Sequence, residues 1–360
     1  MSHPESKPDS QLRILSLGIV ILLALSAFLF PNSALAAIPN DVNDIGLIVN
    51  IGGIDDNGFN EMAVEGLTRA ETDLGVNGTI YLSASPEDYP VQIAQCVTDG
   101  NVLCITIGYD MMDATWNAAG LNPGVNFAIV DVTWEDYPDN LRGITFASEQ
   151  AGYLAGTLAG LMTTSKVIGA IGGMDIPPVT AFMLPYRYGA QWADHDVVVL
   201  FDYANDFMDP DLGAQLAQHQ IDQGADVIFG VGGPMGNGAI LYAAQAGKWV
   251  IGVDADAYYA VFDGGAVDGA EFLLTSALKR VDNAVYDTIA DQIAGNFSSG
   301  SIMYDLSDEG VGLAPYHEAE ASIPQDVQDH VTAVMQGILN GEIDVWEPWT
   351  YRMFLPAVVK

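Results

Sequence analysis

Short apolar runs alternate along this chain with longer stretches whose apolar residues return every three or four positions. The first run, Ile45-Gly-Leu-Ile-Val49, ends in a glycine-rich turn. After it, Met62, Val64, Leu67, Ala70 and Leu74 mark one face of an amphipathic helix predicted over 61–74. The alternation repeats with strands predicted over 79–82, 102–107 and 126–130 and helices over 90–98 and 111–119. A second series places helices over 154–162, 181–193, 212–223 and 238–245 among strands over 167–171, 197–203, 227–231 and 249–253. Helices over 277–293 and 326–339 complete the pattern. The strands are apolar throughout rather than at alternate positions, as in parallel sheets covered by helices on both faces. At 360 residues the chain is long for one domain, and the two series are similar in size. The expected fold is therefore α/β, with two doubly wound, Rossmann-like lobes.

Ligands in open α/β sheets bind beyond the carboxyl ends of the strands. Polar, aromatic and glycine residues collect at those ends here, in segments 50–60, 131–134, 229–236 and 254–256. Two sheets whose strand ends face one another would gather these segments around one cleft. The glycines of 230–236 invite a dinucleotide-binding enzyme as an alternative. Met235, however, stands where the third glycine of G-x-G-x-x-G belongs, and no nucleophile elbow, zinc-protease motif or P-loop appears. No residue is assigned a catalytic role, and no cofactor is expected.

Composition narrows the partners. Forty-seven Asp and Glu against 11 Lys and Arg leave a formal net charge of −36. A nucleic acid polymer or an anionic membrane surface needs a basic footprint, which this chain lacks. With 50% hydrophobic residues and a mean hydropathy of +0.22, a large core is available and disorder is not expected. The five histidines are scattered without ligand spacing, so no metal site is expected. Asp209 followed by Pro210 reads as a helix N-cap rather than part of a calcium loop.

Lys7 and Arg13 precede an apolar run over 14–30 and the small residues Ala34 and Ala36. This order is that of a secretory signal over 1–36, cleaved before Ala37, with an uncleaved membrane anchor as the alternative. Export would permit a disulfide between Cys96 and Cys104; two buried free cysteines is the other reading.

Over roughly 45–315, a series of blocks resembles, in order, the basic membrane protein family of ABC-transporter solute-binding proteins. The blocks are 46–60, ending in Gly58-Phe59-Asn60, then Gly152-Tyr-Leu-Ala-Gly156, 168–174, Gly224-Ala-Asp-Val-Ile-Phe229, Ile251-Gly-Val-Asp254, 274–279 and 310–314. The resemblance implies a type I periplasmic binding protein fold with the ligand cleft between the lobes. It implies crossovers near Thr145, Leu274 and Asp308, so that 41–145 with 275–308 form one lobe and 146–274 with 309–360 the other. It further implies an exported protein, in the periplasm or on the outside of the cell envelope, that delivers a purine nucleoside to ABC-transporter permease subunits. Its only contact with a membrane would be through that transporter or an uncleaved signal.

By the same resemblance, Phe59 and Phe229 sandwich the base, Asn60 and Asp131 bond its edge, and Asp254 and Lys279 bond the ribose. Asn50 stands where the receptors usually carry Asp, and an amide donates where a carboxylate only accepts. A free nucleobase or another small polar solute, bound by a sensor, is the other reading of the same cleft.

Overall fold

The computed structural model describes residues 43–347; the expected signal over 1–36 lies outside them. The described chain opens with β1 (Asp44–Val49), α1 (Phe59–Leu74), β2 (Asn77–Leu82), α2 (Tyr89–Thr98), β3 (Leu103–Ile107), α3 (Met112–Leu121), β4 (Asn126–Val130) and β5 (Leu141–Phe146). It continues with α4 (Ser148–Met162), β6 (Val167–Gly172), α5 (Pro177–Ala193), β7 (Val198–Tyr203), α6 (Pro210–Asp222), β8 (Val227–Val231), α7 (Gly233–Gln245), β9 (Trp249–Asp254) and β10 (Leu273–Lys279). Then come α8 (Val281–Ala294), β11 (Gly300–Tyr304), β12 (Val311–Leu313) and α9 (Gln325–Leu339).

Two six-stranded sheets result, in the orders β11-β5-β4-β3-β1-β2 and β12-β10-β9-β8-β6-β7. All pairings are parallel except that of β12 with β10. In each sheet the chain starts at an inner strand, adds one neighbour on one side and then builds outward on the other. The direction reverses between β1 and β3 and again between β6 and β8. A crevice forms at such a switch point, because the connections on its two sides leave in opposite directions. Strands β3, apolar but for Thr106, and β8, apolar throughout, are buried along their whole length beside these points.

The first crossover between sheets runs from β5 through α4 to β6. Helix α4 packs on α5 at unusually close range. Gly156 lies against the carbonyl of Tyr186, and Gly189 against that of Tyr153, so a Cβ on either would collide with backbone.

At the second crossover the structure departs from the sequence pattern. Residues 273–279 form a strand of the second sheet, not the start of a helix, and the chain returns to the first lobe only after Lys279, five residues beyond the expected boundary. Thr275 and Ser276 hide this strand by interrupting its apolar run. Inside the protein both find partners: Thr275 Oγ1 donates to the Ala314 carbonyl at 2.7 Å, and Ser276 Oγ accepts the Ala257 N–H at 2.9 Å. Helix α8 then packs on α1, and β11 extends the first sheet. The third crossover leads from β11 to β12, and α9 docks on α4.

Strand β5 also escapes the apolar pattern, because it carries Arg142. That side chain is 1% exposed, bonded to Asp291 at 2.8 Å and to the Ser298 carbonyl at 3.1 Å, with its guanidinium 4.5 Å from the centroid of the Phe297 ring. Of the two readings of the cysteines, the structure has the disulfide: Cys96, at the end of α2, is bonded to Cys104 in β3.

Candidate ligand cleft

The strand ends at both switch points open on one space between the lobes, about 740 Å3 including its open part. Asn50, Asp56, Phe59, Asn60, Asp110 and Asp131 line it from the first lobe. Ile176, Val179, Phe182, Phe207, Val231 and Val253 line it from the second, with Asp254 and Lys279.

Asp56 builds the first wall. Its carboxylate accepts the N–H groups of Gly58, Asn60 and Glu61 at 3.1, 2.9 and 3.0 Å, taking up the unpaired donors of the first turn of α1. Burial nevertheless pushes its pKa up. The cap starts α1 at Phe59, two residues before the apolar period suggests, and so fixes Phe59 and Asn60 on the cleft-facing turn. Asn50 follows β1 directly. Its amide nitrogen lies so close to Gly108 that a Cβ there would stand 2.6 Å away, and Gly108 has a left-handed φ of 113°. The Asn60 amide packs on Gly52 in the same way, 2.9 Å from where a Cβ would be. Asn50 Oδ1 lies 3.8 Å from the same Gly52 position, so the two amides are neighbours, and the Oδ1 atom of each is buried without a partner.

A second polar cluster joins the lobes. Lys279, the last residue of β10, is 3% exposed at its side chain, and its Nζ donates to the Asp131 carboxylate at 2.6 Å. The same Nζ stands 4.7 Å from the centroid of Phe59 and 5.3 Å from that of Phe146, where ring faces attract a cation. Asp254, the last residue of β9, has an Oδ1 buried without a partner. Burial first, and the charges of Asp131 and Asp56 after it, push its pKa up to about 7, against the opposing pull of Lys279. Asp131 and Asp254 both adopt left-handed backbone, with φ of 73° and 63°. Asp tolerates this region better than most residues, yet it still costs roughly 1 kcal/mol. Strained carboxylates thus stand at corresponding strand ends of the two sheets. Nearby, Asn237 of α7 donates to the Asp56 carbonyl at 3.2 Å, a further bond between the lobes.

Six of the seven expected ligand residues come together here: Asn50, Phe59, Asn60, Asp131, Asp254 and Lys279. Phe229 does not. Fully buried within β8, its ring lies 5.0 Å from that of Tyr186 and 6.4 Å from that of Phe182. Phe229 and Val231 point to the same face of the sheet, two residues apart. Val231, at the strand end, reaches the cleft, while Phe229 sits one layer deeper beneath Phe182. The aromatic that lines the cleft from a second-lobe loop is Phe207, which follows β7. Its ring lies on the bare backbone of Gly173 and Gly232, where a Cβ would overlap it. An aromatic residue at a strand end, just before the Asp209 cap, was the available signal. Asp209 does cap α6, accepting the N–H groups of Asp211 and Leu212.

Comparison with known proteins agrees with this arrangement. Residues 43–347 match the family model described as ABC transporter substrate-binding protein PnrA-like. A CD4+ T-cell-stimulating antigen of Listeria monocytogenes is 35% identical over 321 residues, covering 84% of this chain and 88% of the relative. An ABC transporter nucleoside-binding protein of Lactococcus lactis is 33% identical, covering 83% and 88%. Among solved structures, an ABC-transporter solute-binding protein of Aeropyrum pernix K1 superposes with a TM-score of 0.76 at 26% identity, over 84% of this chain and 92% of that one. The two-lobed fold is thus that of the type I periplasmic solute-binding proteins. This chain belongs to the basic membrane protein family of ABC transporter substrate-binding proteins.

Proposed function

We propose that the protein captures a purine nucleoside outside the cytoplasm and hands it to the permease of an ABC importer. The observation that carries this reading is the presence of two sets of polar side chains beside Phe59, in addition to Asp56 and Asp110. One holds the amides of Asn50 and Asn60; the other holds Asp131, Asp254 and Lys279; Phe59 lies between them, with apolar second-lobe surface opposite. A nucleoside has the matching order: a base edge with donors and acceptors, a flat body that buries area against aromatic and aliphatic side chains, and a ribose with hydroxyls. Unpaired buried oxygens on Asn50, Asn60 and Asp254 suit a ligand that brings donors, since interiors rarely leave such atoms unsatisfied. The Lactococcus lactis relative, named for nucleoside binding, supports the same choice. The sequence at 1–36 supports export.

Capture works by closure. A ligand touching Asn50 and Phe59 on one lobe and Phe207 and Asp254 on the other gains both sets of contacts only when the lobes are together, so it shifts the population toward the closed form. The test is mass spectrometry of the small molecule released when the purified protein is denatured, with X-ray scattering before and after adding it back. A nucleoside mass and a smaller radius with ligand are expected. A different solute, or an unchanged radius with tight binding, would refute the reading.

A further inference from the structure

The glycines around the start of α7 let the second lobe meet the first. Gly238 lies so close to the Pro210 carbonyl that a Cβ there would stand 2.2 Å from it, so α7 packs backbone to backbone on the start of α6. The Met235 N–H donates to the Phe207 carbonyl at 2.9 Å and joins the first turn of α7 to the loop after β7. The close-packed rim so formed reaches the first lobe at two points. Met208 lies over Gly52, its Sδ 3.4 Å from where a Cβ would be, and the Asn237 amide donates to the Asp56 carbonyl at 3.2 Å. The receiving loop is held as well, because three N–H groups fix the Asp56 carboxylate. Asn237 lies outside the lining of the cleft, so this bond joins the lobes without a ligand between its partners. A contact made only when the lobes are together adds its free energy to the closed form alone. Apparent affinity then scales with the fraction of protein that closes, whatever the ligand.

We propose that Asn237 is a closure latch, a positioning residue that favours the closed lobes without touching ligand and so strengthens binding of every solute the cleft accepts by the same factor. This rests on capture by closure, as proposed above, and not on the identity of the solute.

The test compares the wild type with Asn237→Ala and Asn237→Asp, both of which remove the amide donor. Stopped-flow binding of adenosine and of guanosine should show dissociation faster by roughly two- to tenfold for both nucleosides, the range for one net hydrogen bond, with association nearly unchanged. Both unliganded variants should melt close to the wild type. Spin labels on Asn117→Cys of α3 and Gln215→Cys of α6, both exposed, read the separation of the lobes without any ligand. The short-distance population of the wild type should shrink when Asn237 is replaced. Unchanged dissociation, unequal factors for the two nucleosides, or identical label distances in wild type and variants overturns the proposal. Lowered melting with unchanged dissociation would make Asn237 a structural residue and overturn it too. A wild type that binds neither nucleoside refutes the nucleoside reading alone, and the label distances then decide the latch.

Discussion

The two lobes share one strand topology, yet they present different walls to the cleft. The first offers Asn50, Asn60, Asp110 and Asp131 around Phe59; the second offers Ile176, Val179, Phe182, Phe207, Val231 and Val253 around a single carboxylate, Asp254. The difference follows from what closes each switch point. In the first lobe the loop after β1 doubles as the N-cap of α1, so polar groups are already committed there. In the second, Gly173 and Gly232 leave bare backbone, and an aromatic ring covers it. On the function proposed above, the first wall would orient a ligand and the second would remove its flat face from water.

Where the walls meet, the largest effects are expected. Lys279→Met leaves Asp131 and Asp254 facing each other at the junction with no cation between them. Breaking a buried pair in this way costs about 3–5 kcal/mol, and a denaturant melt should show that loss together with abolished ligand binding. Unchanged stability would mean that the junction does not join the lobes.

The two phenylalanines of the second lobe sharpen the contrast. Phe229→Ala opens a cavity beneath the wall and should cost about 3–5 kcal/mol of stability, with binding in the folded fraction nearly intact. Phe207→Ala should do the reverse, losing roughly 1–3 kcal/mol of affinity with little change in melting. Equal behaviour of the two variants would remove the distinction between wall and core.

A smaller effect concerns pH. The Asp254 carboxyl titrates near 7 in the folded protein, above its unfolded value. The unfolded chain therefore gives up this proton first. The stability contributed by the protonated form is complete below the unfolded value, at about pH 4, and is lost as pH rises through 7. Asp254→Asn should flatten that part of the stability profile. An unaltered slope between pH 4 and 7 would assign it to other carboxyls.

Much of this was legible before the fold was known, for reasons that differ between residues. The buried parallel strands announce themselves because both faces are apolar, as in Ile45–Val49. Strand β10 does not, because Thr275 and Ser276 satisfy their hydroxyls internally and break the run. Arg142 conceals β5 in the same way, since its partners Asp291 and Ser298 lie some 150 residues further along the chain. In the site, Asn50, Phe59 and Asp254 were readable from their places at strand ends and in motifs. Phe229 misled because a motif gives position along a strand but not depth within the sheet. One pleat repeat separates a residue in the wall from one beneath it.

The central claim is that a base and a ribose occupy opposite ends of this cleft. Its most direct test is calorimetry of adenosine and of free adenine on the wild type and on Asp254→Ala. On the wild type the nucleoside should bind more tightly than the base by roughly tenfold or more, because the ribose hydroxyls meet acceptors built for them. Asp254→Ala should erase most of that advantage and leave adenine binding nearly as it was. If the substitution weakened adenine and adenosine equally, or if the ribose brought no advantage to the wild type, the carboxylate end of the cleft would not be a ribose site.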